Sequence, residues 1–359
     1  MKKTCDFNSN VEYELFDNHH QIADLRDKLA SLYYSPFNDV LLWELYDPSL
    51  KSKGYFKLFY HKKGILQHII LFRYSSKKPG KIFVINKQFK ISAKDIKNIC
   101  EILFCEFKKV RQVVFEEMYE FTFQEINRAV FVKVSNDVII FNMPATMEDY
   151  LKSLGASTRK KIKLMQNHIA RDLPDLKVRY IEKGDITLED IKNIASLNWE
   201  RMKSQGVVSD LDDIEIQVLH EYEFTSDFGF LCVCEIDGKT IAGTINTVIE
   251  DHAFMHVIAH DSSYNKYSMG QIALVYATQY LIEQKKINCY HLLCGEQAYK
   301  FRHGGINNDL YNVRVFRKHD IFFCFGKTMG FIEKKYRDFR RELKNNKMIY
   351  LLYNKFIKK

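Results

Sequence analysis

The fold is decided by residues 228–281, which read FGFLCVCEIDGKTIAGTINTVIEDHAFMHVIAHDSSYNKYSMGQIALVYATQYL. The first segment, up to Ile236, is almost continuously apolar, and Asp237-Gly238 is a strong signal for a two-residue hairpin turn. The segments that follow alternate apolar and polar residues with the period of a β-strand. Gly270 then stands at the start of a long helix-forming run. The stretch predicts a β-meander followed by a helix that begins at a glycine.

The last strand of this meander is expected to present two different faces. Strict alternation places His252, Phe254, His256, Ile258 and His260 on one face and Ala253, Met255, Val257 and Ala259 on the other. One face is therefore rich in histidine and the other is apolar.

The segments around the meander complete an α/β pattern. A strand at 176–182, helices at 188–204 and 211–224, and a strand at 288–294 give the order βααβββαβ. The first half of the chain repeats βββαβ, with strands at 55–60, 65–72, 81–87 and 111–115 and a helix at 93–107. Ser92 is predicted to cap that earlier helix, which has no glycine at its start, so no phosphate site is expected there.

Two longer stretches carry a resemblance to a known family. They are YNKYSMGQIALVYATQYLIEQKKINCYHLLCGEQAYKFRHGG, residues 264–305, and the basic segment ASTRKKIKLMQNHIARDL, residues 156–173. Together with the element order, they resemble the GCN5-related N-acetyltransferase (GNAT) superfamily over residues 145–317. Within it they look like the CelD-like acyltransferases associated with cellulose biosynthesis, which are related to the Fem-type peptidoglycan aminoacyltransferases.

The resemblance implies an α/β (α+β) fold with tandem GNAT-like domains, each a mixed, mostly antiparallel sheet flanked by helices. We expect a degenerate N-terminal domain at 1–145, an acyltransferase domain at 146–318 and a basic helical tail at 319–359. The first boundary is placed near MPATMED, residues 143–149, where a proline precedes a helix-start signature.

The resemblance also implies an acyl donor bound at the glycine-initiated helix. A helix start presents unpaired N–H groups and the positive end of the helix dipole, which suits phosphate oxygens. Acyl-CoA, with acetyl-CoA first, is expected to bind at Tyr267, Ser268, Met269, Gly270 and Gln271. This loop departs from the usual Gln/Arg-x-x-Gly-x-Gly/Ala pattern, and Fem-type relatives take their acyl group from aminoacyl-tRNA, so both donors stay open. The competing interpretation of Gly270 is that it only allows close packing of the helix on the strand.

Catalytic candidates follow from what acyl transfer needs, namely a proton acceptor and an acid for the leaving group. His256 is the preferred base, with His260 and Glu296 as alternatives, because the resembled fold lines its cleft with this strand. The resemblance implies that Tyr299 is the acid, because acetyltransferases of that superfamily often carry a general-acid tyrosine just after the corresponding strand. Lys300 is a candidate ligand for a donor phosphate. For His256 and Tyr299 the competing interpretation is packing in the core. No metal is expected.

Composition limits the remaining choices. The chain has 359 residues, and residues 327–359 hold eleven Lys or Arg and three Asp or Glu, which accounts for +8 of the formal net charge of +9. The start lacks the apolar stretch of a signal peptide, no segment is apolar enough to span a bilayer, and the eight cysteines show no zinc-finger spacing. We expect a cytoplasmic protein with reduced thiols.

The two basic segments have competing interpretations. In residues 157–172 the apolar stripe Ile162, Met165 and Ile169 leaves the cations outside, where they meet either solvent or an anionic ligand. The tail mixes Phe331, Ile332, Tyr336, Phe339 and Leu343 with cations and then adds the apolar run Met348–Tyr353, and either contacts an anionic membrane or covers one of the domains.

The sequence therefore predicts a GNAT-type N- or O-acyltransferase. Its expected acceptor is an amine or hydroxyl of a sugar, polysaccharide or cell-envelope precursor, which is inferred from the resemblance alone. A Fem-type aminoacyltransferase that uses aminoacyl-tRNA and a catalytically silent GNAT-fold scaffold remain as alternatives. The acyl group, the acceptor and the oligomeric state are not predicted.

Overall fold

The computed structural model describes residues 3–5, 8–17, 22, 24–32, 35–38, 55–75, 80–119, 126–204, 214–225 and 228–345. The chain divides into two compact units. The first comprises Met1–Gln21, Lys53–Ser135 and Asp309–Lys359, and the second comprises Ile22–Ser52 and Asn136–Asn308. This division differs from the predicted domains 1–145, 146–318 and 319–359, because residues 22–52 group with the second unit and the C-terminal residues group with the first.

The first unit is built on a mixed sheet. Its strands are β1 (Lys3–Cys5), β2 (Asn8–Phe16), β3 (Phe56–Lys62), β4 (Ile65–Ser75), β5 (Gly80–Val84), β6 (Val110–Tyr119) and most of β13 (Ile306–Phe316), and its helices are α2 (Ala93–Glu106) and α9 (Ile321–Asn345). The strands lie in that order across the sheet, and β5 and β6 are the parallel pair. Ser92 caps α2 as predicted, because its hydroxyl accepts the backbone N–H of Asp95 at 3.1 Å.

The second unit has its own mixed sheet. Its strands are the end of β7 (Ala129–Ile140), β8 (Lys177–Glu182), β9 (Gly229–Ile236), β10 (Lys239–Ile249), β11 (His252–His260) and β12 (Cys289–His291). Its helices are α1 (Leu25–Leu32), α3 (Met147–Ser153), α4 (Ala156–Asp172), α5 (Leu188–Ser204), α6 (Ile214–Thr225), α7 (Met269–Tyr280) and α8 (Ala298–Arg302). The strand order is β7-β12-β11-β10-β9-β8, and β11 and β12 are parallel.

The predicted mixed, mostly antiparallel sheets and their flanking helices are confirmed in both halves of the chain. Three longer strands, β2, β7 and β13, were not predicted. Strand β13 pairs with β6, for example Phe316 with Gln112, and these partners lie far apart in sequence. No short-range turn signal therefore marks β13 in the sequence. It returns the chain to the first unit, which explains why the C-terminal residues group there.

The predicted alternation along β11 breaks at His256. The ladder with β10 pairs Ile245 with Val257 but Asn246 with Met255, so His256 is an extra residue on β11, a β-bulge. Met255 packs in the core cluster that includes α7, whereas Val257 packs in the cluster that includes α5. The bulge therefore exchanges the two faces of the strand, and the histidines do not share one face.

Both faces of the second sheet are covered by apolar helix stripes. On one face, Ile162, Met165 and Ile169 of α4 are buried with α7, which confirms the predicted stripe of the basic helix. On the other face, Ile191 and Ile194 of α5 pack against the strands. Cys100, Cys232, Cys234 and Cys289 are buried free thiols.

The predicted tail helix is α9, and its inner side belongs to the first unit. Phe323 is buried with Phe316, and Glu333 forms an ion pair with Arg314 at 2.8 Å. Several apolar side chains of its outer side are exposed, namely Phe325, Phe331, Ile332, Tyr336 and Phe339. Met348–Tyr353 lies outside the described residues. Within the described ranges, no helix combines the length and apolar character that a membrane crossing demands.

Candidate active site

A cleft forms in the second unit because two parallel strands part. The ladder between β11 and β12 holds only from His252–Cys289 to Phe254–His291. Strand β12 ends at His291, whereas β11 continues to His260. Beyond Phe254, this edge of β11 has no strand beside it in the described part of the chain. Among the described residues, this edge therefore lacks a strand that would pair its outward backbone N–H groups, a geometry that the sequence alone does not reveal.

The start of α7 lies at the mouth of this cleft. Ser268 has left-handed backbone angles (φ 54°, ψ 42°), and its side chain does not cap the helix. Gln271 and Ile272 donate their N–H groups to the Ser268 carbonyl. For the N–H groups of Met269 and Gly270, no backbone acceptor exists within the described ranges. The helix start therefore presents free donors and positive potential, as an anion site requires.

Gly270 is required by its neighbour His260. A Cβ atom at position 270 would lie 3.0 Å from Nδ1 of His260, whose Nε2 lies 2.7 Å from Oδ1 of Asn265. The glycine thus lets an imidazole ring lie against the first turn of α7. Any larger side chain must displace this ring and narrow the helix start.

The cleft has a volume of about 350 Å³. Its lining residues are Arg201, Ile258, His260, Asn265, Ser268, Gly270, Gln271, Gln297 and Tyr299. The structure thus brings together predicted donor-binding residues, the predicted acid Tyr299 and the alternative base His260. Arg201 lies on α5, far from Tyr299 in sequence, so only the fold reveals their proximity.

Two of the predicted donor-binding side chains lie in the core. Tyr267 and Met269 are buried in the cluster beneath α7. Their side chains pack the helix onto the sheet, so any contact with a donor is left to their backbone groups. The predicted side-chain role therefore applies best to Ser268, Gly270 and Gln271, which do line the cleft.

His256, the preferred base, is placed differently from the expectation. Its Nε2 lies 2.9 Å from the Thr247 hydroxyl, and its ring meets the edge of Phe37 at 6.3 Å between centroids. Burial lowers its pKa to about 4, so the imidazole is neutral at pH 7. The residues that line the cleft do not include His256. For His256 to act as the base, the acyl acceptor would have to approach the imidazole from outside this cleft.

The ammonium group of Lys300 is hydrogen-bonded within the protein. The residue is buried, and its ammonium donates to the carbonyls of Leu292, Leu293 and Cys294 at 2.6, 3.1 and 2.7 Å. These bonds use all three donors of a lysine and hold the chain after β12. This placement speaks against the predicted contact with a donor phosphate.

Tyr299 and Glu296 differ in exposure. Tyr299 is partly buried in the cleft wall, and burial raises the pKa of its hydroxyl, against a smaller opposite effect of the Arg201 charge. The hydroxyl therefore stays protonated at neutral pH and suits an acid. Glu296 is exposed and does not line the cleft.

A buried hydrogen-bonded chain that sequence reasoning missed lies where β7, β12 and β11 meet. His291 Nδ1 lies 2.6 Å from the Asp137 carboxylate, and its Nε2 lies 2.8 Å from Nδ1 of His252. Phe254 stacks on His291 with 4.2 Å between ring centroids. Asp137 and His291 are both 1% exposed. No sequence spacing links these residues, because they lie on separate strands.

The family comparison supports the GNAT resemblance. Residues 156–301 match the family model described as an acetyltransferase (GNAT) domain. This segment, which contains the cleft, is therefore similar to GNAT acetyltransferase domains. No protein of the curated set matches the chain in sequence.

Solved structures extend the likeness to nearly the whole chain. The crystal structure of FemX aligns with a TM-score of 0.60 at 11% identity, covering 83% of this chain and 96% of that one. A conserved protein of unknown function from Bacteroides thetaiotaomicron aligns with a TM-score of 0.55 at 14% identity, covering 85% and 100%. The C-terminal domain of a candidate lysylphosphatidylglycerol synthetase from Agrobacterium fabrum aligns with a TM-score of 0.51 at 11% identity, covering 85% and 94%. At these identities the likeness establishes the fold and nothing finer.

Proposed function

We propose that this chain transfers an acyl group from acyl-CoA to an amine or hydroxyl. The observation that carries the proposal is the cleft in which the start of α7 meets the edge of β11 that has no neighbouring strand among the described residues. The helix start suits the pyrophosphate of the donor, and the strand edge suits the oxygen of the reacting carbonyl. Acetyl-CoA is the first donor to test. The acceptor proposed is a sugar, polysaccharide or cell-envelope precursor, which rests on the CelD-like resemblance.

The chemistry needs few groups. The lone pair of the acceptor forms a bond to the acyl carbon, and the developing oxyanion meets N–H groups of β11. The bond to the departing thiolate then breaks, and the thiolate takes a proton from Tyr299. The proton of the acceptor passes to a base, for which His260 lies in the cleft and His256 lies outside it. Arg201 adds positive charge to the wall beside Tyr299.

A Fem-type aminoacyltransferase is the second candidate. The loop before α7 lacks the fuller phosphate-binding pattern of ordinary acetyltransferases, and the chain is similar in fold to FemX. A radiolabelled-donor assay that offers acetyl-CoA and charged tRNA to the same preparation separates the two. If calorimetry detects binding of neither donor, a silent scaffold becomes the better proposal.

Gly270→Val tests the site itself. A branched side chain must displace His260 from the first turn of α7, so we expect the affinity for acyl-CoA to fall by about tenfold or more while the fold is retained. Ala170→Val is the matched control, because Ala170 is exposed on α4 and does not line the cleft. Calorimetry and circular dichroism measure both effects. Unchanged donor affinity in folded Gly270→Val would contradict the proposed site.

A further inference from the structure

A second, smaller cavity lies beside the cleft, at the start of α4. It has a volume of about 140 Å³ and shares Gln271 with the cleft. Its other polar lining residues are Ser157, Thr158, Lys161, Arg302 and His303. At about 30 Å³ per water, it has room for roughly four or five water molecules, and so for one small polyatomic anion.

The electrostatics of this cavity favour an anion. Helix α4 has 17 residues, and its N-cap residue Gly155 provides no side-chain cap. Thr158 and Arg159 donate to the Gly155 carbonyl, which leaves the N–H groups of Ala156 and Ser157 without a backbone acceptor in the described part of the chain. Lys161 and Arg302 add two positive charges. Among the described residues that line the cavity there is no carboxylate.

The side chain of His303 is an independent observation that points to a ligand in this cavity. The residue is 1% exposed, and its buried Nδ1 has no hydrogen-bond partner among the residues that the structure describes. An unpartnered buried nitrogen destabilises the folded protein, and a bound hydrogen-bond acceptor would remove this cost. Burial and the charges of Arg302 and Lys161 together lower the pKa of His303 to about 4. The two cations therefore make the electrostatic potential positive at this imidazole and in the cavity beside it.

We propose that this cavity binds a phosphate group. The hydroxyls, backbone N–H groups and two cations of the cavity are hydrogen-bond donors for the oxygens of a phosphate. His303 adds a further donor when its Nδ1 carries the proton. Because Gln271 borders both cavities, the phosphate belongs to the same molecule that occupies the start of α7. This last step rests on the proposed function. The 3′-phosphate of coenzyme A and a phosphodiester of RNA are the two sources with this chemistry.

Inorganic phosphate tests the site without any assumption about the reaction. We expect phosphate to raise the melting temperature of the full chain, and the double variant Lys161→Ala/Arg302→Ala to lose this effect, with phosphate affinity about tenfold or more weaker. Lys160→Ala/Lys163→Ala is the matched control, since both lysines are exposed on the same helix and do not line the cavity. Titration followed by ³¹P NMR gives the affinities.

Donor titrations identify the source of the phosphate. If coenzyme A supplies it, wild type binds coenzyme A more tightly than its 3′-dephospho form, and the double variant loses that difference. If RNA supplies it, the variant instead weakens binding of a short RNA ending in CCA. Equal phosphate binding by wild type and the double variant, or no phosphate binding by either, overturns the proposal. Retained phosphate binding in a protein that transfers no acyl group would overturn only the proposed function.

Discussion

In the proposed reaction, the Tyr299 hydroxyl donates a proton to the departing thiolate. Its raised pKa keeps the hydroxyl protonated at neutral pH. Loss of a general acid typically costs about 10² to 10⁴ in rate, so Tyr299→Phe is expected to lower turnover by such a factor with little change in donor affinity. Single-turnover rates and calorimetry measure the two quantities. A folded Tyr299→Phe protein with near-native turnover would exclude the acid role.

The choice of base is testable through the pH profile. A base must be deprotonated to work, so activity is lost as pH falls through its pKa. If His256 is the base, its pKa of about 4 predicts turnover that stays constant down to about pH 5, and His256→Ala is expected to lower the rate. His260→Ala is the comparison, since His260 lies in the cleft. Full activity in His256→Ala and a large loss in His260→Ala would transfer the role to His260.

We expect Lys300 to stabilise the folded protein. Replacing it by methionine removes the ammonium from three carbonyls, of which, among the described residues, only that of Leu293 also accepts a backbone N–H, from Val138. We expect a loss of about 2 to 4 kcal/mol in the free energy of unfolding. Urea denaturation measures this loss. The control Lys152→Met, at an exposed position, is expected to leave the midpoint unchanged. Native stability in Lys300→Met would show that the ammonium bonds contribute little, and a specific loss of donor binding would restore the predicted phosphate role.

At the scale of elements, the chain Asp137–His291–His252 joins three strands of the second unit. Asp137→Ala removes the acceptor of a buried imidazole, and we expect about 1 to 3 kcal/mol of destabilisation. Asp175→Ala, at an exposed position, is the matched control. Denaturation curves of both variants test this expectation. Equal curves would mean that the network does not hold the strands together.

The sequence predicts elements well where their signals are local. Asp237-Gly238 and the alternation around it mark the hairpin of β9 and β10, and Ser92 marks the start of α2. The bulge at His256 was not predictable, because one extra residue is visible only against the partner strand. For the same reason the parting of β11 from β12 is a property of the fold. The sequence supplies candidate residues for the site, but the contacts of these residues depend on the two irregularities.

At the scale of the whole molecule, the basic tail is part of the first unit. Phe323 lies in its core, and the ion pair of Glu333 with Arg314 fixes the next turns of α9. A protein shortened before this helix would lose core contacts, so truncation is a poor test of a surface role. Substitutions on the exposed side of α9 separate a surface role from a structural one.

The exposed side of α9 combines apolar side chains with cations, as a surface that contacts an anionic membrane does. Phe331, Ile332 and Phe339 are 62%, 49% and 53% exposed, and Lys334 and Lys335 lie on the same exposed part of the helix. Such a face can bind anionic lipid through apolar insertion and through about 1 kcal/mol per nearby cation. We expect the full chain to bind vesicles with anionic lipid weakly, less so as salt increases, and not to bind neutral vesicles.

The triple variant Phe331→Ser/Ile332→Ser/Phe339→Ser is expected to reduce this binding by about tenfold or more, because each apolar side chain loses insertion energy. Ile65→Ser is the matched control, since Ile65 is 65% exposed in the same unit but on a different element. Vesicle co-sedimentation at two salt concentrations measures the effect. If the triple variant binds as well as wild type, or if wild type binds no anionic vesicles, the outer side of α9 has no membrane role and its helix serves the first unit alone.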